Sequence, residues 1–133
     1  MAEMKEIRIG GRDAEFVSIR KLSSCDPEGW FAAEITVQCD GWRGKFGASF
    51  MKGELTRFAE EIQKLHENLR GEAMLAPLEP NLTLNLKGDG KGHIDVMGTA
   101  QNRLGLGTQL SFSLEIFQSY LPMISENLRA ADG

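Results

Sequence analysis

The alternation of apolar and polar residues in the first half of the chain predicts β-strands. Apolar residues occupy every second position from Phe31 to Cys39, and the alternation resumes from Trp42 to Phe50 after Asp40 and Gly41. A period of two residues is typical of a strand with one buried face. An Asp-Gly pair between two such strands favours a tight turn. We therefore expect an antiparallel hairpin that turns at Asp40.

Further strands are predicted on both sides of this hairpin. Shorter strand-like segments lie at residues 7–9 and 16–22, and clear alternation recurs at residues 82–87, 93–100 and 110–116. Residues 88–92 contain three glycines and one aspartate, which is typical of the tip of a hairpin. The pattern as a whole predicts about six to eight strands.

Two segments show the spacing of amphipathic helices. After Gly53, apolar residues recur at intervals of three and four as far as Leu69, and Gly71 is a suitable stop. Near the end of the sequence, Ser119 can cap a second helix whose first turn tolerates Pro122. The predicted helices span about residues 53–70 and 119–130.

Runs of strands on either side of one helix favour antiparallel pairing over βαβ units. We predict an α+β fold: one domain over residues 1–133, with a single antiparallel sheet and both helices packed on one of its faces. Trp42 is expected in the core. The other face of the sheet is expected to be exposed and polar, and it would carry Glu34, Thr36, Gln38, Arg43, Lys45, Thr83, Asn85, Lys87, Asp95, Ser111 and Ser113.

Composition and charge exclude several classes of function. The 133 residues carry a formal net charge of −4, so we expect no general attraction to nucleic acid. No apolar run approaches a membrane span and the opening residues lack a signal peptide, so a cytoplasmic protein without membrane contact is expected. Cys25 and Cys39 form no zinc motif and no disulfide framework. We expect no metal and no cofactor.

One pair of residues suggests catalysis. His93 and Asp95 lie two residues apart on the same face of a predicted strand, which is compatible with proton transfer. No known nucleophile motif accompanies them, and the glycines of residues 88–92 lack the spacing of a phosphate-binding loop. A small enzyme that uses His93 and Asp95 is therefore one alternative function.

The order of signals along the chain resembles the WapI-type family of bacterial immunity proteins, from Trp30 to Leu128. The segments that carry the resemblance are Trp30-Phe31, Glu34-Ile35-Thr36-Val37, Glu54-Leu55, Gly71-Glu72-Ala73-Met74-Leu75, Leu82-Thr83-Leu84, Gly92-His93-Ile94 and Gln118-Ser119-Tyr120-Leu121-Pro122. The resemblance implies a protein without enzymatic activity that binds and blocks the toxic domain of a cognate secreted toxin. It supplies no catalytic residues.

If the chain is an immunity protein, acidic side chains are the first candidates for its binding surface. Toxin domains that attack nucleic acid need basic clefts, which carboxylates can occupy in competition with phosphate. Glu34, Asp95 and Glu115 are predicted to project from the sheet, and Glu60 and Glu61 from the first helix. We expect one surface to dominate and favour the sheet. A structural homodimer formed through the sheet is a further alternative.

Overall fold

A computed structural model describes residues 5–11 and 15–133 of the chain. Four strands precede the first helix: β1 (Glu6–Gly10), β2 (Phe16–Lys21), β3 (Trp30–Cys39) and β4 (Trp42–Met51). The helix α1 (Glu54–Asn68) is followed by β5 (Arg70–Leu75), β6 (Leu82–Asp89), β7 (His93–Gln101) and β8 (Gln109–Phe117). A single turn of 3-10 helix, Gln118–Tyr120, leads into α2 (Leu121–Ala131).

The strands form two sheets rather than the single sheet that the sequence predicts. Strands β1 to β4 pair in chain order to form one four-stranded sheet, here called the N-terminal sheet, and β5 to β8 form the C-terminal sheet. All neighbours are antiparallel, as expected. The prediction of one sheet is wrong because alternation identifies the buried face of each strand, but not the strands with which it pairs. The helix α1 separates the two sheets in the chain.

One hydrophobic core joins both sheets and both helices. Its members come from the inner faces of the sheets and from the apolar stripes of α1 and α2, and Phe50, Phe58, Ile35 and Leu86 are among the residues it encloses completely. The helix α1 packs on α2 and on β5, whereas α2 contacts β1. Because the helices lie on the inner side, each sheet keeps an outer face that they do not cover.

The helix boundaries differ slightly from the prediction, for local reasons. The helix α1 ends before Gly71 because Leu69 adopts a left-handed conformation with φ of 63° and donates its N–H to Leu65 O at 2.7 Å. Ser119 does not cap α2. It lies within the 3-10 turn, and α2 has Pro122 in its first turn without a side-chain cap from its own N-terminal residue.

The carboxylate of Asp132 caps the first helix from the far end of the chain. It accepts hydrogen bonds from Gly53 N at 2.9 Å, Thr56 N at 3.1 Å and Thr56 Oγ1 at 2.5 Å. Gly53 has no side chain that could satisfy the free N–H groups of the first turn, so an external acceptor takes that role. The cap therefore holds the end of α2 against the start of α1.

The hairpin between β3 and β4 has the predicted turn. Asp40 and Gly41 are its two turn residues, with φ of 50° and 82°, which is the requirement of the tight turn that Asp-Gly pairs favour. Trp42 directly after the turn is 67% exposed, so its prediction as a core residue is wrong. Trp42 does lie on the inner face of β4, but at the first position of the strand, where the core does not extend far enough to cover it.

Candidate partner-binding surfaces

The residues predicted to share one polar face are divided between the outer faces of the two sheets. Glu34, Thr36, Gln38, Arg43 and Lys45 lie on the N-terminal sheet, and Thr83, Asn85, Lys87, Asp95, Ser111 and Ser113 lie on the C-terminal sheet. Glu34 and Asp95 therefore belong to different surfaces. The two surfaces also differ in charge.

Basic residues dominate the outer face of the N-terminal sheet. Glu34 accepts a hydrogen bond from Arg20 Nη2 at 2.7 Å and lies 3.7 Å from Lys45 Nζ. The charged residues that line this face are Glu6, Arg8, Arg20, Glu34, Arg43 and Lys45. Because both neighbours of Glu34 are cations, a partner would meet a neutralised carboxylate there.

The middle of this face is more enclosed than the strand pattern predicts. Thr36, expected to be exposed, is only 7% exposed, and Ser18 beside it is 4% exposed. The strand register places Arg8 and Lys45 on either side of these two short side chains. Long basic side chains in these flanking positions can cover short polar ones with their apolar stems.

The outer face of the C-terminal sheet carries a row of charges of mainly acidic character. The strand register aligns Glu72, Lys87, Asp95 and Glu115 across β5 to β8. Asp95 and Glu115 are directly opposite each other and both are exposed. Like charges at directly opposite positions repel, so a cationic group from a partner would relieve the repulsion as well as bind.

Exposed apolar side chains lie next to this acidic row. Met74 and Met97 are 49% and 48% exposed in the neighbouring row of the same face. On the other side, the Phe117 ring, which is 55% exposed, meets the Tyr120 ring edge-on at 6.3 Å between centroids. Exposed aromatic and methionine side chains are typical interface anchors. The alternation that places Asp95 on this face also places Met97 there, so the exposed position of Met97 could have been predicted from the sequence.

The hydrogen-bond partner of His93 is Glu115 on the neighbouring strand rather than Asp95. His93 Nδ1 lies 2.9 Å from Glu115 Oε1, and the His93 ring packs on Phe117 at 5.5 Å between centroids. The His93 backbone N–H and the Lys91 N–H both donate to Asp89 Oδ1. These donors, with Lys91 first, lower the pKa of Asp89. The arrangement can bind a cation or a hydrogen-bond donor on an open sheet. Among the described residues, the contacts of the imidazole are a carboxylate and an aromatic ring, and neither places a nucleophile against it.

The two glutamates predicted on the helix have different surroundings. Glu60 is exposed on α1. Glu61 Oε1 accepts a hydrogen bond from Met74 N on β5 at 3.0 Å, so it connects the helix to the edge of the C-terminal sheet. Glu60 is therefore the cleaner probe of the helix as a binding surface, because substitution of Glu61 would also disturb β5.

A second cluster surrounds Cys39 between the sheets. Potential metal-ligand atoms of Glu15, Cys39 and Asp40 lie within 4.8 Å of one another. Burial, followed by the hydrogen bond and negative charge of Glu15, raises the pKa of the Cys39 thiol to about 11. The thiol is therefore protonated at neutral pH and donates to Glu15 Oε2 at 3.3 Å or Ser113 O at 3.1 Å. A metal would have to displace that proton, which disfavours metal binding here.

This raised pKa predicts a loss of stability at alkaline pH. The folded state keeps the Cys39 proton up to about pH 11, whereas an exposed thiol loses it near pH 8.5. The unfolded state binds fewer protons between these values, so the free energy of unfolding should fall by roughly 2–3 kcal/mol between pH 8 and pH 10.5. Urea unfolding of wild type and Cys39→Ala at pH 8 and pH 10.5 would measure it. An equal loss in both proteins would assign the effect to other groups.

Within residues 5–11 and 15–133, neither helix has the length and apolar character needed to span a bilayer.

Fold and surfaces together define an α+β protein of two antiparallel sheets around one core, with charged and apolar side chains displayed on open faces. The model of the WapI-like immunity protein family matches residues 6–131, and the chain belongs to that family. A search of curated proteins finds no match.

Proposed function

We propose that this chain is a non-enzymatic immunity protein that neutralises a cognate toxin domain by binding it with the outer face of the C-terminal sheet. Membership of the WapI-like immunity protein family, over residues 6–131, supports the immunity role. The observation that carries the choice of surface is the exposed acidic pair Asp95 and Glu115, with apolar anchors on both sides. A cytoplasmic location of the complex is part of the proposal.

The chemistry of the surface fits a basic partner. A toxin domain that cleaves nucleic acid needs cationic groups in its cleft to hold phosphates. Asp95 and Glu115 would pair with such groups and so compete with the substrate. Phe117, Tyr120 and Met97 would then supply buried contacts, because charge pairs steer association while a few desolvated anchors hold the complex.

The geometry favours this face over the other two candidates. Glu34 on the N-terminal sheet is neutralised by Arg20 and Lys45. Glu61 on α1 accepts a backbone hydrogen bond from β5. Among the described residues, the Asp95 carboxylate has neither constraint, and its cross-strand neighbours are Lys87 and Glu115. Glu115 contacts the His93 ring at 2.9 Å, but both of these side chains stay open to solvent.

Co-expression tests the proposed function directly. Candidate toxin domains encoded in the same genome would be produced in a sensitive bacterial host, with and without this chain. We expect growth to be restored by the wild-type chain against one of these domains, and the purified pair to form a stable complex in size-exclusion chromatography. Rescue without complex formation would contradict neutralisation by binding. A failure of every candidate domain to be neutralised would count against the immunity role.

A further inference from the structure

A groove opens between the edge of the N-terminal sheet and the start of β8. Its volume is about 480 Å³. Apolar side chains of Val37, Trp42, Phe46, Ala100 and Leu110 line it, together with Arg43, Gly44, Lys45, Asn102, Thr108 and Gln109. Trp42 is 67% exposed, and Leu106, in the loop that contributes Asn102 and Thr108 to the lining, is 84% exposed. The groove is separate from the acidic row of the C-terminal sheet.

The strand beside the groove has a free edge. Among the residues that the structure describes, β4 is the last strand of its sheet and pairs with β3 alone. Since Cys39 and Trp42 close a two-residue turn, alternate backbone groups of β4, those of Arg43, Lys45, Gly47 and so on, point away from β3. Met51 belongs to the same outward-pointing set: its backbone N–H donates to Glu54 Oε1 at 2.6 Å instead of to β3. Such an edge is a template for another strand.

The two ionisable residues that line the groove, Arg43 and Lys45, are both basic. Residues 42–50 contain Arg43 and Lys45, residues 98–110 contain Arg103, and neither segment contains an aspartate or glutamate. The formal net charge of the whole chain is nevertheless −4. Arg43 and Lys45 therefore make this edge complementary to carboxylates, although Lys45 also lies 3.7 Å from Glu34.

We propose that the groove binds an extended acidic segment of a partner polypeptide, which adds as a fifth strand to the edge of β4. Backbone groups of the segment would pair with those of Arg43, Lys45 and Gly47. An apolar side chain of the segment would enter the groove over Phe46 and Leu110, while its carboxylates would lie beside the basic side chains. A second copy of the chain fits less well, because antiparallel pairing of two β4 edges brings like charges together.

This inference goes beyond the proposed function, since it requires neither a nuclease cleft nor the acidic row. The two sites also differ in the sign of the charge they would bind. A variant with lysine at Asp95 and Glu115 should therefore still bind an acidic strand at β4. Failure of the toxin interaction and failure of strand addition can thus be distinguished.

A terminally blocked heptapeptide of alternating glutamate and leucine is a suitable probe. Titration calorimetry at low salt would measure its affinity. Tryptophan fluorescence, compared between the wild type and Trp42→Phe because Trp30 also emits, would report its location. One control peptide replaces glutamate with lysine, and a second carries N-methyl groups on the amides that would pair with β4. We expect the lysine peptide to bind at least about tenfold more weakly and the N-methylated peptide to lose binding, because it lacks the donors.

Filling the groove is the matching test on the protein. A Cβ added at Gly44 meets no atom within 4 Å and the backbone there is unstrained, so Gly44→Leu should fold normally and occupy the groove. We expect it to weaken the glutamate-leucine peptide about tenfold or more, whereas Ser111→Leu on the exposed face of the other sheet should leave binding unchanged.

Four results would overturn the proposal. They are no binding of the glutamate-leucine peptide at millimolar concentration, equal binding of the N-methylated peptide, equal binding of the lysine peptide, and equal binding by Gly44→Leu. Sedimentation velocity tests the alternative that a second copy of the chain occupies the β4 edge. If the wild-type chain self-associates and Gly47→Pro abolishes this association, the edge is assigned to a second copy. Gly47→Pro removes an outward N–H without costing a bond to β3.

Discussion

The double substitution Asp95→Lys with Glu115→Lys is expected to abolish protection against the cognate toxin domain. The change replaces two adjacent carboxylates with two cations at the centre of the proposed interface. Long-range attraction to a basic cleft would become repulsion, so we expect the association rate to fall by about 10- to 100-fold and its salt dependence to reverse. Biolayer interferometry at 50 and 300 mM salt would measure both effects once the toxin is identified.

Matched variants keep this prediction specific. Glu60→Lys changes an exposed carboxylate on α1, and Glu34→Gln removes the charge that Arg20 and Lys45 neutralise. We expect both to protect as well as the wild type. The double variant exchanges one opposed pair of like charges for another and loses the contact between Glu115 and His93, so its thermal unfolding is measured in parallel to show that it is folded. Normal binding by the double variant, together with loss of binding in Glu60→Lys, would move the interface to the helix.

The substitution Asp132→Ala is expected to lower the free energy of unfolding by about 2–3 kcal/mol. Its carboxylate caps α1 through Gly53 N, Thr56 N and Thr56 Oγ1. Without it, the first-turn N–H groups lose their acceptor and the end of α2 loses its connection to α1. For a domain of this size the melting temperature should fall by about 5–10 °C. Thermal unfolding followed by circular dichroism would test this.

The isosteric variant separates capping from charge. Asp132→Asn keeps an oxygen acceptor, and asparagine caps helices about as well as aspartate, so we expect it to recover most of the loss. If alanine proves as stable as the wild type, the contact between the chain end and α1 contributes little in solution. If asparagine is as destabilising as alanine, the interaction of the negative charge with the helix N-terminus outweighs the hydrogen bonds.

The sequence predicted on which face of its strand each candidate residue lies, but not which residues share a surface. The period of two residues places Asp95, Met97 and Glu115 on outward positions of their strands, and the structure places them on one outer face. The same pattern also placed Glu34 with them. That grouping is wrong because an outward side chain in one strand and an outward side chain in another share a surface only if their strands share a sheet.

The contacts of individual polar side chains such as Glu34 and Cys39 also could not be predicted from the sequence. Glu34 meets Arg20 across 14 positions of the chain, and Cys39 meets Glu15 across 24. Neither contact follows from local spacing, because cross-strand pairs depend on the register between segments that the turn lengths and the buried face jointly set. The groove beside β4 likewise arises only where the end of one sheet meets the loop of the other.

The sequence by itself determined the elements of this protein. Its strands, its two amphipathic helices and the Asp40-Gly41 turn follow from side-chain periodicity and from backbone preferences, which act over a few neighbouring residues. Only the tertiary structure decided that the strands divide into two sheets, that Asp132 caps α1, and that Asp95 faces Glu115 while Glu34 is neutralised. These features depend on pairing between distant segments, and local periodicity carries no information about which distant segments meet.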